Sequence, residues 1–182
     1  MNWGANTAPG YGTLVFTGAV GTTNIMNASY SMNQVNWNGG SAWTLNASGG
    51  SVLSLFDNGG TQAKLENLGS GLVTINAPVT FAATGGSNWG EINAVSGDMT
   101  FGTGTLTVSG SGVNGIRLFG AGRTTTFNNT VSAAGKYFST SAVGTIVGIG
   151  GAFTAGELYI MNDGVLNLNS GSSVTANVRL GG

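Results

Sequence analysis

The residues with chemistry to offer in this chain are few. The carboxylates are Asp57, Glu66, Glu91, Asp98, Glu157 and Asp163. Glycoside cleavage needs two carboxyl groups roughly 5 to 10 Å apart. Glu91 with Asp98, or Glu157 with Asp163, would meet that condition across a turn. Their setting argues for another role. Each Glu follows a Gly and precedes an apolar residue, and an Asp comes six or seven positions later. Acids at repeated positions are expected to serve structure, for example by accepting from turn amides. The chain has no His and no Cys. That removes His-type zinc sites, thiolate sites and Ser–His–Asp catalysis. The expectation is a protein that is not an enzyme, with no catalytic residue, no metal and no cofactor. A lone calcium loop at Asp57-Asn58 or Asn162-Asp163 is the remaining metal alternative. Calcium wants six to eight oxygens, and the Gly-Gly-x-Gly-x-Asp ladder pattern is absent.

The tryptophans carry the binding chemistry. Asn2-Trp3, Asn36-Trp37 and Asn88-Trp89 pair an indole with an amide, and Trp43 lies close to Trp37. An exposed indole beside an Asn can stack on a sugar ring and hydrogen-bond its hydroxyls. Trp37, Trp43 and Trp89 are therefore the candidate glycan-stacking residues. The competing expectation is that these rings plug a cap or cover a corner. Trp is highly buried on average, which favours that second reading.

Composition narrows the class. Charged residues are 6% of the chain, against about 25% in an ordinary domain, so Asn, Thr and Ser must supply solubility. Net charge is −1, and the cations Lys64, Arg117, Arg123, Lys136 and Arg179 are scattered. No nucleic-acid footprint is present. Hydrophobic residues make up 41%, enough to order a core. No apolar run reaches the roughly 18 residues of a membrane span, so no membrane contact by this segment is expected. Thirty-four glycines disfavour helices.

The elements that must position these residues are short strands. Pairs of apolar residues at period two recur: Leu14/Phe16, Leu53/Leu55, Val73/Ile75, Met99/Phe101, Leu106/Val108, Ile116/Leu118, Leu158/Ile160, Leu166/Leu168 and Val178/Leu180. Gly, Asn, Asp or Ser follows each pair, the signature of strands ended by turns. The chain also resembles itself. Thr74–Ala82 matches Thr126–Ala134, Gly90–Ala94 matches Gly156–Ile160, and Gly12–Gly18 matches Gly104–Gly110. These offsets suit a coil of about 20 to 26 residues. A β-sandwich gives short strands but no reason for self-similarity. A parallel coil gives both, because each rung stacks like on like about 4.8 Å from the next. The predicted fold is all-β, a right-handed parallel β-helix of seven or eight rungs. Residues 1–45 are expected to form an N-terminal cap with the first rung or rungs, with Ala28 to Trp43 inside it. Residues 46–182 are expected to form the repeats, ending in an open rung. Thr105, Thr107 and Thr124 to Thr126 are expected to face outward, without a Thr-x-Thr in every rung.

Several segments carry a family resemblance. They are Gly104–Gly112 followed by Asn114-Gly115-Ile116, Gly156–Leu168, Asn177–Gly182, and the opening Asn2-Trp3 with Pro9 and Thr13–Phe16. Together they resemble the autotransporter-associated β-strand repeats of bacterial passenger proteins. The resemblance implies secretion, a β-helix and a place outside the cell or on its outer surface. No signal peptide pattern is visible at Met1, and any membrane anchor is expected outside this chain. The function expected is a structural or adhesive rod module that self-associates end to end or side by side. The alternative is a carbohydrate-binding or carbohydrate-active β-helix, with a surface glycan as partner.

Overall fold

The structure is a computed structural model that describes residues 12–18, 23–58, 60–82, 89–110 and 112–181. Every regular element among them is a strand, and every strand pairing is parallel. Seven coils each contribute one strand to three faces, here named A, B and C. The first coil holds β1 (Thr13–Thr17), β2 (Thr23–Met26) and β3 (Tyr30–Met32). The second holds β4 (Gln34–Asn38), β5 (Trp43–Ala47) and β6 (Leu53–Leu55). Next come β7 (Ala63–Asn67), β8 (Val73–Ile75) and β9 (Val79–Ala82), then β10 (Trp89–Ala94), β11 (Met99–Phe101) and β12 (Leu106–Ser109). The fifth coil starts with β13 (Gly115–Phe119) and β14 (Thr124–Phe127). From there the coils tighten. The long strands β15 (Val131–Thr140), β17 (Ala152–Ile160) and β19 (Ser173–Leu180) each run along face C and bend onto face A. Between them, β16 (Ile146–Ile149) and β18 (Val165–Leu168) continue face B.

The bend replaces a loop, and glycine makes it possible. Gly135 has φ +71°, a left-handed conformation that costs a side-chain-bearing residue about 1 kcal/mol or more. Gly156 stacks on it so closely that a Cβ would lie 2.9 Å from the Gly135 carbonyl carbon. The register slips at this corner, between Ala133 and Tyr137 and again between Thr154 and Glu157.

Period-two alternation places two mainly apolar columns from each face inside. Ile75, Phe101 and Phe127 stand in register on face B. Phe101 and Phe127 stack at 5.2 Å, and Phe127 meets Phe153 and Phe138 edge-on at 5.7 and 6.0 Å. Outward positions on faces B and C are hydroxyl ladders. Thr23, Thr44, Thr74, Thr100 and Thr126 align on face B. Ser31, Ser54, Thr80, Thr107, Ser132, Thr154 and Thr175 align on face C. The face C ladder shows one hydroxyl in each of the seven coils, and the face B ladder one in each of the first five, before Gly148 and Asn167 take the position; β-branched and small polar side chains suit such a pleated surface.

Buried amides hold the corners. Asn67 is 1% exposed and donates to the Gly71 and Asp98 carbonyls at 2.8 and 3.0 Å. Asn33 donates to the Phe56 and Thr61 carbonyls at 2.8 and 3.0 Å. Asn76 donates to Asn46 one coil below at 2.9 Å. Asp98 accepts from the Thr124 amide at 3.0 Å, the turn-capping role expected of it.

The expected segment matches divide in the structure. Thr74–Ala82 and Thr126–Ala134 do stand two coils apart in register. Gly12–Gly18 and Gly104–Gly110 do not correspond, because β1 lies on face A and β12 on face C. Their likeness reflects a shared strand-turn pattern. Residues 28–43, expected in the cap, include the regular strands β3 and β4, and β5 crosses the expected 45/46 boundary. Residues 1–11, where the cap was expected to begin, lie outside the described residues. In the last coil the apolar residues Val165, Leu168, Val178 and Leu180 are exposed.

Candidate functional site

Face A departs from the neutral ladders of the other two. Of eleven charged residues, six lie on its strands: Lys64, Glu66, Glu91, Arg117, Glu157 and Arg179. The rest sit at turns and corners, so charge chemistry is concentrated on this face. One outward column runs Lys64, Glu91, Arg117, Ser139, Tyr159, Arg179. A second, two residues earlier along each strand, runs Trp89, Gly115, Tyr137, Glu157, Asn177.

Ion pairs close both ends of this array. Lys64 lies 3.4 Å from Glu91 and 3.7 Å from Glu66. Asn93 donates to both carboxylates at 3.3 Å. At the other end Arg179 pairs with Glu157 at 3.3 Å and lies over the Tyr159 ring at 5.1 Å. The Tyr159 hydroxyl is held above the ordinary tyrosine pKa, first by hydrogen bonding to the Glu157 carboxylate and then by loss of solvation, with Arg179 opposing.

Between the ends stands Arg117. Its guanidinium lies 4.8 Å from the Trp89 ring centroid, a cation–π geometry. It makes no ion pair among the described residues. Trp89 and Tyr137 belong to coils two apart, yet their rings approach to 6.3 Å. Gly115 stands between them in register and leaves the gap. A Cβ at Gly115 would collide with the Tyr137 backbone, so close stacking of the coils requires the same glycine. Tyr137 then meets Tyr159 at 6.4 Å. The three rings and Arg117 line a shallow groove of about 310 Å³ with Ser139, Ser141 and Met161. That volume is at the small end of ligand sites, ~300–1,000 Å³.

The tryptophans separate cleanly. Trp37 is 1% exposed and Trp43 is 5% exposed. Trp37 stacks on Phe16 at 5.5 Å, and Trp43 packs against the same ring at 5.6 Å. Both are core side chains of the second coil packed on Phe16 of the first, so neither ring face is open to a sugar. Trp89 is half-buried on face A. Trp3 and Asn88 lie outside the described residues. Glu91 and Glu157 share face A but occupy different columns, so they are not equivalent positions. The partners of Trp89 were missed by sequence reasoning. Their signal was available: Arg117, Ser139, Tyr159 and Arg179 recur at outward strand positions once the coil length is known. Among the described residues no cluster of three or more metal-ligating side chains occurs. No family model, curated protein or solved structure matches this chain.

Proposed function

We propose that the chain is a structural and adhesive module, a stiff β-solenoid segment of a bacterial surface protein that acts without catalysis. The observation that carries this reading is the continuous register of seven coils around one apolar core, with the Trp89, Tyr137 and Tyr159 rings and Arg117 gathered on one face. The strands of faces B and C present no charged side chain before the Lys136 corner, which suits a rod wall. Face A, with half-exposed rings and a guanidinium, is the adhesive surface. The autotransporter-passenger resemblance supports export. The exposed apolar residues of the last coil, Leu168 and Leu180 among them, support association through that coil with another copy of the chain.

Surface labelling tests the module reading. Antibodies against this segment should label intact cells of the encoding bacterium, and external protease should remove the signal. Labelling only after lysis would overturn it. Beads coated with the protein should adhere to glycan-bearing surfaces, and the Trp89→Ala variant should adhere less.

A further inference from the structure

We infer that the face A groove binds an acidic saccharide, with Arg117 receiving its carboxylate and the Trp89, Tyr137 and Tyr159 rings receiving its sugar faces. The inference rests on face A being the recognition face and names the ligand class of that site.

Charge accounting gives the acid. Lys64 is committed to Glu66 and Glu91, and Arg179 to Glu157. Arg117 is the cation of the array with no carboxylate partner among the described residues, although Glu91 is its register partner. Its guanidinium is turned instead onto the Trp89 ring, into the groove. A planar fork held against an aromatic face is preorganised for bidentate carboxylate binding. The rings give the sugar. Successive centroid separations of 6.3 and 6.4 Å make a continuous run of aromatic surface along the coil axis. Such a run suits flat amphipathic rings joined in a chain, and Ser139 and Ser141 supply hydroxyls beside it. A long polyanion is a poor fit, because Glu91 and Glu157 border the same groove and net charge is −1. One carboxylate per short oligosaccharide matches the Arg117 guanidinium, the one on this face without an ion pair among the described residues.

The test is isothermal titration of the full chain with two acidic probes and their neutral counterparts. The probes, each carrying one carboxylate, are cellobiouronic acid against its carboxyl-reduced form, cellobiose, and sialyllactose against lactose. The expected result is saturable binding of at least one acidic probe, roughly tenfold or more tighter than its neutral partner. Arg117→Gln should remove that preference, and Arg117→Lys should keep part of it. Trp89→Ala and Tyr137→Ala should weaken acidic and neutral binding alike. Each variant is first compared with the parent by circular-dichroism melting, and Arg117→Gln, which removes no core contact, is the variant that decides. Equal affinity for acidic and neutral probes would overturn the acidic assignment and leave the recognition face standing. No saturable binding of either acidic probe, with the protein folded, would overturn the inference. Acid preference that survives Arg117→Gln would also overturn it.

Discussion

Phe127→Ala strikes the coil stack at its centre. Phe127 is fully buried in the fifth coil. It stacks on Phe101 of the fourth coil at 5.2 Å and meets Phe153 of the sixth edge-on at 5.7 Å. Phe138 approaches it edge-on at 6.0 Å from the facing side of the core. Truncating a buried Phe costs about 3 to 5 kcal/mol, through lost transfer energy and the residual cavity. Three aromatic neighbours place this site at the upper end, because each such pair adds about 0.5 to 1.5 kcal/mol beyond area burial. The expected loss is about 4 to 5 kcal/mol, a large share of the roughly 5 to 15 kcal/mol that holds a domain. Parallel strands on both neighbouring coils limit how far the cavity can collapse. Urea unfolding followed by far-ultraviolet circular dichroism and Trp fluorescence reads the effect. Trp37, Trp43 and Trp89 all lie in coils before the lesion, so fluorescence reports whether the first four coils stay folded. Both probes should shift together if the solenoid unfolds as one unit. Separate transitions would show nearest-neighbour behaviour between coils. A loss below about 2 kcal/mol would refute the packing reasoning, because a fully buried Phe in a tight stack cannot be removed that cheaply.

Other consequences follow from single contacts. Thr140 is fully buried; its hydroxyl accepts from the Met161 amide at 2.7 Å and donates to the Met161 carbonyl at 2.8 Å. Thr140→Val should cost about 1 to 3 kcal/mol in the same urea assay, because both Met161 groups lose their partner. Gly115→Ala should destabilise the protein and change Trp89 fluorescence, since the new Cβ collides with the Tyr137 backbone; a melting curve identical to the parent would contradict the close stacking. Tyr159 should titrate above the ordinary tyrosine range by phenolate absorbance, and Glu157→Gln should lower it. The sign follows from linkage: a raised folded pKa favours the folded state below the unfolded value near 10, and that contribution is lost as pH rises through the folded value. Leu168→Asp combined with Leu180→Asp should reduce concentration-dependent association in sedimentation, while a parent that stays monomeric at high concentration would remove the end-association proposal.

The strands were legible because the code for them is local. Apolar pairs such as Val73/Ile75, Met99/Phe101 and Ile116/Leu118 are inward-facing and buried, and the turns after them carry Gly and Asn. The parallel solenoid followed from self-similarity, but the register did not. Coil length changes along the chain: Lys64 stands over Gln34 after 30 residues, whereas Arg179 stands over Tyr159 after 20. A fixed offset therefore drifts out of step, which is why Glu91 and Glu157 looked equivalent and Gly12–Gly18 was matched to the wrong face. The site suffered for the same reason. Trp89 was visible as an indole beside an amide, but Arg117, Tyr137 and Tyr159 are 28, 48 and 70 residues downstream of it. Only the winding brings them together. Trp37 carries the same local signal as Trp89, and only burial separates them.

The face A groove depends on columns formed by residues one coil apart, and engineered cysteine pairs test such columns directly. The chain has no native Cys, so the background is clean. Thr80 and Thr107 are register partners on adjacent coils of face C, with Cα atoms about 4.8 Å apart, inside the range a disulfide spans. Ser132 stands one coil further on, roughly 9.6 Å from Thr80 by the same spacing. Under mild oxidation of dilute protein, the Thr80→Cys/Thr107→Cys pair should close an intramolecular disulfide, and the Thr80→Cys/Ser132→Cys pair should not. Cross-linking of the two-coil pair with none in the adjacent pair would contradict the winding, and with it the groove built from Trp89, Arg117, Tyr137 and Tyr159.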